Sequence, residues 1–164
     1  MSDNLYAFNV RLATVEDAPA IKKITHDAFI RYCDAANLEY TIDAVTESVE
    51  DIESDIKNKY VFIVKIDHEL IGAVRVKINE DGTAYLSRFA IDEAHGNAGI
   101  GKILMRVVDK VMLENKVKTL KLHTSSKVTA LIRFYYGRGF YISSVDYQRG
   151  YPRAELVKEY QVQE

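Results

Sequence analysis

The stretch "HGNAGIGKIL" sets Gly96, Gly99 and Gly101 ahead of an apolar, helix-forming run, and bare backbone at a helix start can hold an anion. Gly96, Gly101 and Lys102 fit the G-x-x-x-x-G-K spacing of a magnesium-dependent nucleotide loop, but Ile103 stands where a Ser or Thr must reach the metal. Gly99 and Gly101 also give the G-x-G of a dinucleotide fingerprint. Leu104 then fills the third small position, and no alternating strand–helix units precede it. A third reading keeps only the physics: unhindered N–H groups and a helix dipole grip a diphosphate without a metal. The plain alternative is a glycine turn that packs a helix closely on a sheet. Groups able to move protons occur nearby and later: Glu93, His95, His123, and the pair Tyr135–Tyr136 in "IRFYYGRGF".

These residues need a scaffold. A chain of 164 residues suffices for one domain with its own core. Its 22 basic and 24 acidic side chains are interspersed, without the basic footprint of a nucleic-acid binder. Cys33, the only cysteine, rules out an internal disulfide and a cysteine-based metal site, and reads as a buried thiol in a reducing compartment. "MSDNLYAFNV" has no leader character and no run approaches a membrane span, so the expectation is cytoplasmic, with no membrane, nucleic-acid or metal partner.

"FNVRLA" alternates as a half-buried strand, and a helix follows with Asp17 as its cap, Pro19 in its first turn and Ile21, Ile24, Ala28 and Phe29 on one face, to Tyr32 or a little beyond. Residues 40 to 58 form an acidic helical region with Ala44, Val45, Val49, Ile52 and Ile56 turned inward. "YVFIVKI", "LIGAVRVKI" and "AYLSRFAI", joined by short polar turns, make an antiparallel meander. Ile103, Leu104, Val107, Val108, Val111 and Met112 mark a helix after the glycines. "KTLKLHT" is a strand, "VTALIRFYYGRGF" a helix ended by Gly137 or Gly139, and "YISSVDYQ" and "AELVKEYQV" are closing strands. The order β-α-α-β-β-β-α-β-α-β-β predicts an α/β (α+β) fold, a mostly antiparallel central sheet of about seven strands flanked by about four helices.

With these elements in order, the chain resembles the GNAT superfamily of acyl-CoA-dependent N-acetyltransferases, whose motif is Arg or Gln, two residues, Gly, any residue, then Gly or Ala. Gly99 and Gly101 match it; "FAID" is similar to the family's fourth strand, "IRFYYGRGF" to its late helix ending Tyr-x-x-x-Gly-Phe, and "VRLATVEDAPAI" to its first strand and helix. The likeness covers essentially the whole chain. Gly96 stands where the motif has Arg or Gln, and Val128 where an Asn is common.

The resemblance implies acetyl-CoA as donor, its diphosphate on the amides of Asn97, Ala98, Gly99, Ile100, Gly101 and Lys102, and its pantetheine arm along the backbone of Phe89, Ala90 and Ile91. It implies Tyr135 as general acid at the leaving sulfur, with Tyr136 pointing about 100° away on the helix. Glu93, His95 and His123 are the candidate bases; alternation puts Leu120, Leu122 and Thr124 on one strand face and His123 on the other. The acceptor, a small-molecule or peptide amine, is expected against Phe29, Tyr32, Glu39 and Tyr40 and against Tyr147, Arg149 and Tyr151. Glu47, Glu50, Asp51, Glu53 and Asp55 read as a solvated helix face, or as a draw for a cationic amine. A homodimer through the terminal strands follows from family habit. The competing reading is an acyl-CoA-binding regulatory module of the same fold without an acceptor site.

Overall fold

The computed structural model describes residues 8–96 and 99–161. Strand β1 (Phe8–Leu12) leads through a 3-10 turn (Val15–Asp17) to helix α1 (Ala18–Ala36), a single turn α2 (Asp43–Thr46) and α3 (Val49–Asn58). The meander β2 (Tyr60–Ile66), β3 (Glu69–Ile78) and β4 (Thr83–Ile91) precedes α4 (Ile100–Glu114), β5 (Thr119–Ser125), α5 (Thr129–Gly137), β6 (Tyr141–Asp146) and β7 (Arg153–Glu159). The strands form one sheet in the order β1-β2-β3-β4-β5-β7-β6, antiparallel except between β4 and β5. That parallel pair requires a crossover, which α4 supplies. The expected seven-stranded, mostly antiparallel sheet is what the chain forms, with one short helix more than expected.

Each sheet face has its own core. On one face Leu104, Met105, Val108 and Met112 of α4 pack on Val74, Val76, Leu86, Leu120, Leu122 and Leu156. On the other, Ile21 and Ile24 of α1 and Ile52 of α3 pack on Val61, Ile63, Ala73 and Ala90. Strands β2 and β3 are therefore covered on both sides, which is why both read as nearly unbroken apolar runs, with Val61, Phe62, Ile63 and Val64 all buried. Strands β5 and β7 are covered on the α4 face only, leaving Lys121, His123 and Glu155 on the open side. No described helix is long and apolar enough to cross a membrane.

Two local expectations change. Asp17 precedes α1 but does not cap it: its carboxylate turns back to accept from Thr14 N at 2.8 Å and from Arg11 at 2.8 and 3.2 Å, because the 3-10 turn folds it toward β1. The helical region 40–58 is broken at Glu47 and Ser48, where the backbone is extended. Ser48 and Asp51 restart it by exchanging backbone hydrogen bonds as a capping box. The break turns Glu47 inward.

Candidate active site

Strands β4 and β5 pair over only three residues each, Thr83–Tyr85 with Thr119–Lys121, and then part. Between them opens a cavity of about 430 Å3, lined from β4 by Tyr85 through Phe89 and Ile91, and from β5 by Leu122, His123 and Thr124. Thr124 Oγ1 is buried in this wall with no hydrogen-bond partner among the described residues.

A β-bulge shapes the β4 side. Ala73 pairs with Ala90 but Arg75 with Ser87, so Arg88 and Phe89 together oppose Val74. Arg88 takes a left-handed φ of 53°, unusual for a side-chain-bearing residue. The extra residue turns Arg88 to the same face as Ser87, where its Nε lies 3.4 Å from Glu47, and returns Phe89 to the α4 face. There Phe89 meets Phe134 at 5.4 Å and Tyr135 at 6.1 Å between ring centroids. Asp92 N donates to Ile71 O, so by strand alternation the main-chain groups of Ile91 and Phe89 face the gap while those of Ala90 face β3. Ala90 therefore offers the gap nothing. The Ile91 carbonyl already accepts from Arg31 at 2.8 Å.

The glycines divide their labour. Gly99 enters α4 with φ 75°, and a Cβ there would touch nothing within 4 Å, so this position needs glycine for its backbone alone. At Gly101 a Cβ would lie 3.0 Å from Phe134 and 3.1 Å from Phe89, so that residue is small for packing. Gly96 has φ −59° and no such demand. Ile100 is buried, Lys102 exposed, and Asn97 and Ala98 lie outside the described residues. A Gly99 that opens into free space, followed by a 15-residue helix whose first amides lack intrahelical partners, fits a diphosphate.

Tyr135 sits on α5 with 4% of its surface exposed and lines the cavity. Its ring meets Phe89, Phe134 and Phe140 edge-on, and burial pushes its phenol well above the usual value, with Tyr32 adding to the shift. Tyr136 points elsewhere: it is half exposed and its hydroxyl accepts from Ile142 N at 3.0 Å.

Of the three candidate bases only His123 reaches the cavity. Its Nδ1 is 2.6 Å from the Tyr85 hydroxyl and its Nε2 is 3.5 Å from Glu155. Burial lowers its pKa and nearby Arg153 lowers it further, against the pull of Glu155; the net shift favours the neutral ring. A neutral ring with its proton on Nε2, toward Glu155, leaves Nδ1 to accept from Tyr85. Glu93 is largely exposed and paired with Arg31 at 3.3 Å, and His95 is held by Asp92 at 2.6 Å; neither faces the gap.

The acceptor candidates divide as well. Phe29 and Tyr32 line the cavity, and the Tyr32 hydroxyl accepts from Ser125 N at 2.8 Å. Arg149 and Tyr151 also line it. Tyr40, half exposed and hydrogen-bonded to Asp34, lies outside, as do the exposed Glu39 and Tyr147. The acidic run is not a uniform solvated face. Glu47 and Asp55 turn in to Arg75, a fully buried β3 residue that donates to Glu47 at 2.7 and 2.8 Å and to Asp55 at 2.9 Å. Sequence reasoning missed Tyr85, Arg88 and Arg153. Alternation in "AYLSRFAI" places Tyr85 with Ser87, but the bulge that redirects Arg88 leaves no local signal.

The acetyltransferase (GNAT) family model matches residues 25–140. Solved structures share the fold at low identity. The PaiA N-acetyltransferase of Thermoplasma acidophilum, in complex with coenzyme A, superposes with a TM-score of 0.83 at 21% identity, over 93% of this chain and 99% of that one. The ribosomal-protein-S18-alanine N-acetyltransferase of Escherichia coli gives 0.75 at 15% identity over 96% of each chain. A chimera of the Vibrio cholerae spermidine N-acetyltransferase gives 0.72 at 16% identity, over 93% of this chain and 95% of that one. A family model that spans both the parted strands and the Tyr135 helix fits the cavity built above: this chain belongs to the acetyltransferase (GNAT) family.

Proposed function

We propose that this chain is an N-acetyltransferase that moves the acetyl group of acetyl-CoA directly to a primary amine, without an acyl-enzyme. The observation that carries the reading is Tyr135, a buried phenol facing the gap between β4 and β5 beside the unpaired main chain of Phe89. In this reading the amides of residues 97 to 102 hold the diphosphate, and the outward main-chain groups of Phe89 with the N–H of Ile91 hold the extended arm. When bound, acetyl-CoA supplies an activated carbonyl and a thiolate leaving group. A β4 N–H donates to the carbonyl oxygen as charge gathers there. Tyr135 holds its proton in the resting site because burial disfavours the phenolate; it gives that proton to the departing sulfur, and when the thiol leaves, the proton that His123 has taken from the amine returns through solvent to the phenolate. Tyr85 and neutral His123 take the proton from the amine, with Glu155 behind the ring. Glu93 has no part in this scheme. The absence of side chains at Gly96 and of an amide at Val128 favours a binding-only module, but pure binding has no use for a buried proton donor beside the donor strand.

A thiol-release assay with acetyl-CoA and a panel of amines tests the reading. Turnover is expected, and Tyr135→Phe should lower kcat by about 10²- to 10⁴-fold with CoA affinity unchanged by calorimetry. Unchanged turnover removes Tyr135 as the acid. An absence of saturable CoA binding removes the whole reading.

A further inference from the structure

The charge of the cavity wall is lopsided. Arg31, Arg88, Arg149 and Arg153 line it against a single carboxylate, Asp43. Two of these guanidinium groups are occupied: Arg31 by the Ile91 carbonyl and Glu93, Arg88 by Glu47. Arg149 and Arg153 form no ion pair among the described residues. Arg153 opens β7 opposite Ser125, on the same sheet face as His123 and Glu155, while Arg149 stands at the rim in the turn between β6 and β7. Both charges act on Tyr85 and His123, so both stand close to the pair that would take the amine's proton.

Neither arginine is assigned to the donor. Its diphosphate is assigned to residues 97 to 102, and none of the described residues of that loop lines the cavity. What remains is the acceptor. We propose that the acceptor is an amine that also bears a carboxylate, a free amino acid, whose acid group is held by the paired forks of Arg149 and Arg153. A guanidinium fork matches a carboxylate geometrically as well as electrically, and two arginines without carboxylate partners among the described residues disfavour a polyamine beside them. The Asp43 carboxylate, on the α1–α3 side, is the one group there that attracts an ammonium. This inference rests on reading the cavity as an acetyl-transfer site, and it goes beyond that reading in naming what enters.

The test uses the full chain and matched pairs: lysine against cadaverine, arginine against agmatine, phenylalanine against phenethylamine, with an acidic tetrapeptide as a further arm. Each amine is titrated calorimetrically into the protein–CoA complex and assayed for thiol release. The amino acid of at least one pair should exceed its decarboxylated partner in kcat/KM by about 30-fold or more, the worth of a charge-assisted hydrogen bond or two. Arg149→Gln and Arg153→Gln should each shrink that ratio by about tenfold, and Arg153→Lys should restore part of it by returning charge without the fork. Melting curves check that the variants fold. Acid-bearing amines that bind without turnover keep the acceptor class and remove catalysis. Turnover that favours the decarboxylated amines, or a ratio indifferent to both arginines, removes the acceptor class and keeps acetyl transfer. Activity confined to the tetrapeptide overturns the free amino acid, and failure of every acid-bearing amine to bind overturns the inference.

Discussion

On the proposed reading, the donor and acceptor sides of the site are made of different material. On the donor side the chain offers backbone: at the cavity the outward main chain of Phe89 and Ile91, beside packed rings, and outside the cavity the helix start at Gly99. On the acceptor side it offers charged and polar side chains, Arg88, His123, Arg149 and Arg153 with Tyr85, drawn from β4, β5, β7 and the turn before β7. A backbone site needs only conformation and space, so a few glycines at fixed spacing announce it. A side-chain site is assembled by the sheet, and no local spacing announces that. The first kind suits a constant ligand, and the second is free to vary with the acceptor.

The sharpest way to break one wall and spare the other is Arg75→Met. Arg75 lies beneath the acceptor wall, holding Glu47 and Asp55, and Glu47 in turn steadies Arg88. Removing the guanidinium leaves Glu47 buried with only a 3.4 Å contact to Arg88, and urea unfolding should register a loss of about 3–5 kcal/mol. Adding Glu47→Gln to Arg75→Met should recover part of it, because the stranded charge is gone. A loss below about 1 kcal/mol for the single variant would place the network with weak surface pairs instead.

On the donor wall the two glycines should fail differently. Gly101→Val drives a side chain into Phe134 and Phe89, which must yield; overpacking of about 1–3 kcal/mol is expected, with CoA affinity falling by about tenfold. Gly99→Ala meets no atom and bears only the strain of φ 75°, about 1 kcal/mol. Calorimetry with CoA separates the cases. Equal effects from both would mean that the loop tolerates shape and not conformation.

Both walls show how far the sequence could be read. The meander, the α4 stripe and the placement of Leu120, Leu122 and Thr124 opposite His123 follow from periodicity, because each strand or helix exposes its own burial pattern. Periodicity fails where long-range partners intervene. Glu47 looked like one of a solvated acidic row, yet Arg75, 28 residues away, draws it into the interior and breaks the helix there. Asp17 carried the right residue type for a cap, but Arg11 and Thr14 compete for its carboxylate and win. Arg88 was invisible because a bulge, set by the register of β3 on β4, reverses which face it meets. Glu93 and His95 share the cavity's neighbourhood in sequence without reaching it, since the 3-10 turn after β4 carries them to Arg31 and Asp92.

The smallest effect tests the acceptor wall through protons. His123 is faced by Tyr85 from β4, by Arg153 and Glu155 from β7, by Asp146 at the end of β6 and by Arg149 in the turn that follows. Burial is the main cause of its lowered pKa and the arginines add to it, against the opposite pull of Glu155 and Asp146. Between that folded value and the ordinary 6.5, the unfolded chain binds more protons than the folded one. The contribution of neutral His123 to stability is therefore whole above 6.5 and is lost as pH falls through the folded value. A ring titration followed by NMR should have its midpoint below 6.5, and Arg153→Gln should raise it toward 6.5 by removing a like charge. His123→Gln should flatten the acid side of the stability curve in the same window. A midpoint at or above 6.5 in the unaltered chain would mean that Glu155 and Asp146 outweigh burial and both arginines.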